Sequence, residues 1–256
     1  MIQTLNKHVK WRKDNGAIFI CDCKRLIDLK IPFKYESFMK KLSKGIDEKD
    51  LDKIEKKVFS DFERMKLLSE LKIKHLSKKD FSKAIKILDN ELGKERVRSN
   101  KFLFNKFKEF PQFFIGIFLD KEIIGVICGF PREDYLLISE ISIDLKFHKR
   151  GFGKILIKKF EDVAKKEKYN KINVGAEDNA INFYSFLDYK PFLLVQYKKG
   201  DYVLENFSEL NILKKSEDKN QKVLEVKVND FNLNLLKKFR ERYPKAWFQY
   251  IFTKSF

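Results

Sequence analysis

The sequence predicts an α/β (α+β) fold, a mixed sheet flanked by helices, with a small winged-helix-like module before it and a strand-helix-strand extension after it. Three observations carry that expectation. Two alternating runs flank Asn15-Gly16; from Lys72 onward apolar strand-like runs alternate with stretches of helical periodicity; and a strand over 135–143 leads into Gly151-Phe152-Gly153 and a long amphipathic stretch. At roughly 150 residues per domain, 256 residues make one to two domains. The pattern sets boundaries at 1–70, 71–200 and 201–256.

Each element has a local reason. Val9 to Lys13 and Ala17 to Cys21 alternate around an Asn-Gly pair, the residues that a two-residue hairpin turn with positive φ demands. After Pro32, the residues Phe33, Phe38, Met39 and Leu42 recur near helical spacing until Gly45. Leu51, Ile54 and Val58 then mark a second helix, and Ser60-Asp61-Phe62-Glu63 reads as a capping box opening a third. This order, with its Trp11-Arg12 strand, resembles the PqqD-like peptide-chaperone fold, the leader-recognition element of peptide-modifying enzymes. The resemblance implies a peptide-recognition module over 1–70. Ile73 to Leu76 is a short strand, and Ser77 caps an amphipathic helix through Phe81, Ala84, Ile85, Ile87 and Leu88. The central domain continues with a helix near 98–107, a hairpin of 113–118 and 123–130, and the strand 135–143. A helix to about Lys166, a strand at 171–174, a helix at 179–187 and a strand at 192–197 complete it. The tail adds a strand at 223–228, a helix from about Asn232 to Arg242 and a strand at 247–252. No chemistry attaches to this tail; an extension of the sheet or a homodimer contact is its expected role.

Composition removes several function classes. A content of 43% apolar and 14% aromatic residues excludes a disordered basic tail. The 55 Lys and Arg against 37 Asp and Glu leave a net charge of +18, which raises encounter rates with any polyanion. The lysines are spread among acidic residues along helical stretches, so a solvated surface is favoured over a dedicated nucleic-acid face. No apolar run approaches the eighteen or so residues of a membrane span, and Met1 to Lys7 lacks the features of a secretory signal. A cytoplasmic protein with no membrane partner is expected. Cys21, Cys23 and Cys128 fit neither a disulfide framework nor zinc spacing, so no metal is expected.

A strand, a glycine turn and a helix bring free backbone N–H groups and a positive helix end to one point, which suits an anion. The turn lacks the third glycine of a dinucleotide fingerprint, and Ile155 stands where a P-loop needs Ser or Thr. Its company on both sides gives it meaning: Glu140 on the strand before it, and Asn179 through Phe183-Tyr184 to Asp188-Tyr189 after it. This arrangement resembles the GNAT superfamily of acyl-CoA-dependent N-acyltransferases over about 72–200, and implies a GNAT-like mixed sheet. The family's loop has Gln or Arg, two residues, Gly, one residue, then Gly or Ala. Gly151 and Gly153 match it, and Asn179 and Tyr184 match the later helix. His148 replaces the usual Gln or Arg and leaves one phosphate-side contact open. Asp188 stands where a glycine commonly ends the later helix, a mild change because Asp tolerates the left-handed conformation.

The resemblance implies acetyl-CoA, or another acyl-CoA, as cofactor. Backbone groups of His148, Lys149, Arg150, Gly151, Phe152, Gly153 and Lys154 are then expected to cradle its pyrophosphate, while Ile141, Ser142 and Ile143 pair with the pantetheine arm. Asn179 and Phe183 lie at the pantetheine region, Asn179 also serving as a helix cap, and Gly175 marks where the sheet splays. Glu140 is the expected base and Tyr184 the expected acid for the leaving thiolate. The expected activity is N-acetyl transfer to an amine of a peptide or protein, held by strand addition to the N-terminal hairpin. Two alternatives stand beside it: an acyl-CoA-sensing DNA-binding regulator, and a small-amine N-acetyltransferase whose N-terminal module is a scaffold.

Overall fold

A computed structural model describes residues 1–94, 98–200, 211–217 and 219–256; residues 201–210, where the expected C-terminal extension begins, lie outside the described residues. In chain order the elements begin with β1 (Ile2–Leu5), β2 (Val9–Asp14), β3 (Ala17–Asp22), β4 (Ile27–Pro32), α1 (Glu36–Lys44), β5 (Ile46–Asp47) and α2 (Lys53–Arg64). They continue with β6 (Leu68–His75), α3 (Lys78–Leu92), α4 (Asn100–Glu109), β7 (Phe114–Leu119), β8 (Glu122–Pro131), β9 (Leu136–Ile143), α5 (Phe152–Lys166) and β10 (Lys171–Gly175). The last are α6 (Ile181–Ser185), β11 (Lys190–Lys198), β12 (Ile212–Glu217), β13 (Gln221–Lys227), α7 (Leu233–Arg242) and β14 (Trp247–Ser255). The chain divides into two compact units, 1–128 with 140–160, and 129–139 with 161–256.

In the first unit, β1 pairs antiparallel with both β5 and β6, β6 with β7, and β7 with β8. The N-terminal residues are therefore strands of the same sheet as β6, not a separately hung module. Four residues of β1 are too few for a period to be read from sequence. A second sheet, β2-β3-β4, stands apart from it. The expected hairpin is present, with Asn15 and Gly16 both at positive φ. The expected third helix is not. Asp52 accepts from the N–H groups of Ile54 and Glu55, so the capping box is at Asp52 and Glu55, and Ser60 lies inside a continuous α2. A third strand, β4, replaces it in the count of elements; its Leu29 and Ile31 pack only partly against the core. That core is Val9, Ile18, Ile20, Phe38, Met39, Leu42, Phe59 and Phe62, with Leu5 of β1. Each fully buried Phe or Met contributes about 1.5–3 kcal/mol of transfer free energy. The predicted Ser77 cap holds as a box with Asp80, and α3 and α4 bury Phe81, Ala84, Leu88, Leu103 and Phe107 with Phe114 and Val126 of the sheet.

In the second unit, β9 pairs parallel with β10, β10 antiparallel with β14, β14 with β11, β11 with β13 and β13 with β12. The terminal strand β14 thus lies between β10 and β11, where Phe248, Tyr250 and Phe252 are buried. The hairpin β12-β13 takes the edge. Asp188 closes α6 at φ +63°, the left-handed geometry expected where a glycine is usual.

Candidate active site

Burial along β9 alternates residue by residue, with Leu136, Ile138, Glu140 and Ser142 buried and Leu137, Ser139, Ile141 and Ile143 half-buried. Glu140 therefore faces away from Ile141 and Ile143, as the alternation required, but it is only 8% exposed. It is not an open surface carboxylate. The parallel ladder of β9 with β10 covers Leu136 to Ile138 and stops there.

After Ile143 the chain makes a short turn at Leu145–Phe147, capped by Asp144, whose carboxylate accepts from the Lys146 N–H at 3.0 Å. The Leu145 N–H donates to Glu91 of α3 at 3.1 Å, and buried Phe147 meets the ring of Phe152 at 6.5 Å. These anchors fix a loop in which Lys149 (φ +61°) and Gly151 (φ +83°) are both left-handed, turning the backbone into the first turn of α5. A Cβ at Gly151 would touch nothing closer than the Lys44 side chain at 3.6 Å. Glycine is required there by its torsion, not by crowding. His148, Lys149, Gly151 and Lys154 are exposed, so the turn into α5 is accessible and cationic. That arrangement fits a pyrophosphate.

Two side chains of the loop point elsewhere. His148 Nε2–H donates to the Ile143 carbonyl at 2.6 Å and lies 3.7 Å from the Glu91 carboxylate. The Arg150 guanidinium sits over the Phe147 ring at 5.5 Å, and burial lowers its pKa.

In the second unit, Tyr184 is 3% exposed and packs its ring against Phe183, Tyr189 and Phe252 at 5.3, 6.0 and 5.7 Å. Burial, with the Glu177 charge adding to it, pushes its phenol well above the ordinary value, so it stays protonated. Phe183 is half-buried beside it. Asn179 is exposed within a short turn at Asp178–Ala180, and no side chain caps that turn or α6; the expected capping role of Asn179 is thereby corrected. Asp178 accepts two bonds from Arg240 of α7, at 2.7 and 3.2 Å. A pocket of about 420 Å³ is lined by Glu177, Asn179, Arg240, Trp247 and Gln249 among others. Gly175 ends β10, where a Cβ would come within 2.9 Å of the Gln249 amide, the movable end of a long side chain. Sequence reasoning missed Glu91, Arg240, Gln249 and Lys44; each is distant in the chain from its neighbour, and no local pattern points to it. Among the described residues, no cluster of His, Cys, Asp and Glu is placed to hold a metal ion, and no helix is long and apolar enough to cross a membrane.

The family model described as Acetyltransferase (GNAT) family matches residues 73–189, from within β6 through the turn after α6. No curated protein matches the chain. Among solved structures, Ard1 from Thermoplasma volcanium is similar at 16% identity, covering 62% of this chain and 99% of that one with a TM-score of 0.45. The ribosomal-protein-S18-alanine N-acetyltransferase from Escherichia coli is similar at 13% identity, covering 61% and 92%, with a TM-score of 0.43. Arabidopsis thaliana Naa50, in complex with the bisubstrate analogue CoA-Ac-MVNAL, is similar at 15% identity, covering 73% and 99%, with a TM-score of 0.44. Residues 73–189 match the GNAT acetyltransferase family, and this match supports acyl-CoA-dependent N-acetyl transfer with acetyl-CoA as cosubstrate.

Proposed function

We propose that the acceptor is an amine of a peptide or protein, presented as an extended segment added to the β2-β3-β4 sheet. The observation that supports this reading is that both outer strands of that sheet, β2 and β4, have a free edge among the described residues. An extended chain gains backbone hydrogen bonds at such an edge. The outward face around it carries Lys10, Arg12 and Lys30, with Arg12 and Lys30 each over the Phe19 ring at 5.9 and 5.6 Å. An acidic acceptor segment complements that face.

Bound acetyl-CoA supplies the acyl group as a thioester. The loop from His148 to Lys154 binds the pyrophosphate through its backbone N–H groups, and Ile141 to Ile143 offer backbone groups to the pantetheine arm. Glu140 takes the proton from the acceptor amine as the new C–N bond forms. Tyr184 gives a proton to the sulfur as the C–S bond breaks.

One observation favours a small amine instead, the 420 Å³ pocket with the Glu177 carboxylate and Trp247 on its walls. Incubating the protein with acetyl-CoA and, separately, an acidic peptide pool and a set of small diamines, with mass spectrometric readout, separates the two. Acetylated peptides support the proposal. Acetylated diamines with unmodified peptides refute it, as does salt-sensitive duplex DNA binding without any transfer, which would indicate a regulator.

A further inference from the structure

The geometry points to Lys44, a residue of the N-terminal helix α1 outside the GNAT domain, as a pyrophosphate-binding residue of the acetyl-CoA site. The inference rests on the cosubstrate reading of the loop and adds a contact that the loop itself does not provide. Of its side chains, His148 is committed to the Ile143 carbonyl and Arg150 to the Phe147 ring. The place of the family's Gln or Arg is thus filled by a group turned toward the protein, and a phosphate at the cradle lacks that side-chain partner.

Lys44 stands where such a partner is needed. Its Cγ and Cδ lie 3.6 and 4.0 Å from the position a Cβ would take on Gly151, so its aliphatic stem crosses the left-handed glycine at the centre of the cradle and its ammonium lies two bonds beyond. The stem uses the space that glycine leaves open, and the charged end remains solvated, as long cationic side chains do. Neighbouring lysines are otherwise engaged: Lys40 pairs with Glu36 at 2.7 Å and Lys41 with Glu55 at 2.9 Å. No ion pair among the described residues takes up Lys44.

The backbone that carries Lys44 is fixed on both sides. Buried Thr4 of β1 donates its hydroxyl to the Leu42 carbonyl at 2.8 Å and reaches the Ser43 carbonyl at 3.3 Å, satisfying carbonyls that the end of α1 leaves open. Trp11 Nε1–H donates to Ser43 Oγ at 2.8 Å. On the other side, Gly45 at φ +92° ends the helix, and a Cβ there would meet Leu71 at 2.9 Å and Ile2 at 3.1 Å. β1 is itself hydrogen-bonded to β6, so the helix end is tied to the sheet of the catalytic domain. A preplaced cation loses little freedom on meeting an anion.

The test is titration of the full chain with acetyl-CoA and with acetyl-pantetheine, which lacks the phosphates, for wild type, Lys44→Ala, Lys44→Arg and Lys40→Ala. Lys44→Ala is expected to weaken acetyl-CoA binding about five- to tenfold at low salt. Lys44→Arg is expected to restore most of the affinity, Lys40→Ala to change nothing, and acetyl-pantetheine to bind all four alike. Equal acetyl-CoA affinity of wild type and Lys44→Ala overturns the assignment, and so does an equal loss for both ligands, which would make Lys44 a packing residue. Failure of the wild type itself to bind acetyl-CoA would instead bring down the cosubstrate reading.

Discussion

Replacing Gly151 by alanine isolates the backbone contribution to the cradle. A non-glycine residue held in the left-handed region costs about 1–2 kcal/mol, and Gly151 is at φ +83° with no neighbour inside 3.6 Å of a new methyl. The penalty is therefore torsional alone. If the loop keeps its shape without ligand, the strain appears in folding, as a Tm lowered by about 2–4 °C per kcal/mol for a chain of this size. If the free loop relaxes and only the bound form restores the turn, the same energy appears as a five- to thirtyfold weaker acetyl-CoA affinity. The two losses together equal the strain. Gly153 gives the internal comparison: it is the second residue of α5 and is not at positive φ, so alanine there carries no left-handed torsional penalty. Thermal melts and calorimetric titration on both variants decide the matter. Gly151→Ala without effect on either quantity, or Gly153→Ala as the more destabilising change, would refute the reasoning.

Glu140→Gln is expected to lower kcat by about two to four orders of magnitude, leaving the acetyl-CoA affinity intact; an unchanged kcat would dismiss Glu140 as base. Tyr184→Phe keeps the ring packed against Phe252 and removes only the hydroxyl, so a fall in kcat without a fall in Tm identifies an acid, and unchanged kcat identifies a core aromatic. Burial of Asp22 opposes its ionisation, but the Arg25 guanidinium, with the N–H groups of Arg25 and Lys24, outweighs this and holds its carboxyl below the usual carboxylate range. Its stabilising contribution is fully present above the unfolded carboxylate pKa of about 3.9 and is lost as pH falls through the lower folded value. Urea melts from pH 6 to pH 2 should show the gap between wild type and Arg25→Ala narrowing at the acid end to what the Arg25 bonds to the Met65 and Lys66 carbonyls retain, and a constant gap would contradict the pairing.

What was legible in the sequence follows from where the information is local. The Asn15-Gly16 turn, the Ser77 cap, the β9-to-α5 turn and the left-handed Asp188 each depend on a few adjacent residues whose torsional preferences are strong. Their placement agrees with the expectation. The supposed capping box at Ser60 shows the limit of the same logic. The identical spacing occurs in mid-helix, and a motif at Asp52 with Glu55 wins because it coincides with the start of the apolar period. β1 was invisible for a different reason: its identity comes from pairing with β6, more than sixty residues away in the chain, and not from its own four residues. At the site, the left-handed Gly151 and the alternation that turns Glu140 away from Ile141 and Ile143 were readable because each depends on one strand and the turn after it. The engagement of His148 with Ile143 and Glu91 is a tertiary fact, and so is the approach of Lys44.

The tail gained meaning only through topology. Because β14 lies between β10 and β11, the chain must leave the sheet after β13 and return between two earlier strands, and α7 makes that crossing. Its Arg240 forms a two-pronged bond to Asp178 and a third bond, at 3.0 Å, to the Phe248 carbonyl at the start of β14. A planar guanidinium held at three points fixes orientation as well as distance. Asp178 is the residue before Asn179, in a turn that has no cap of its own. The clamp therefore supplies from the tail the order that the turn lacks locally. The segment to which sequence assigned no chemistry thus orders the turn that carries Asn179.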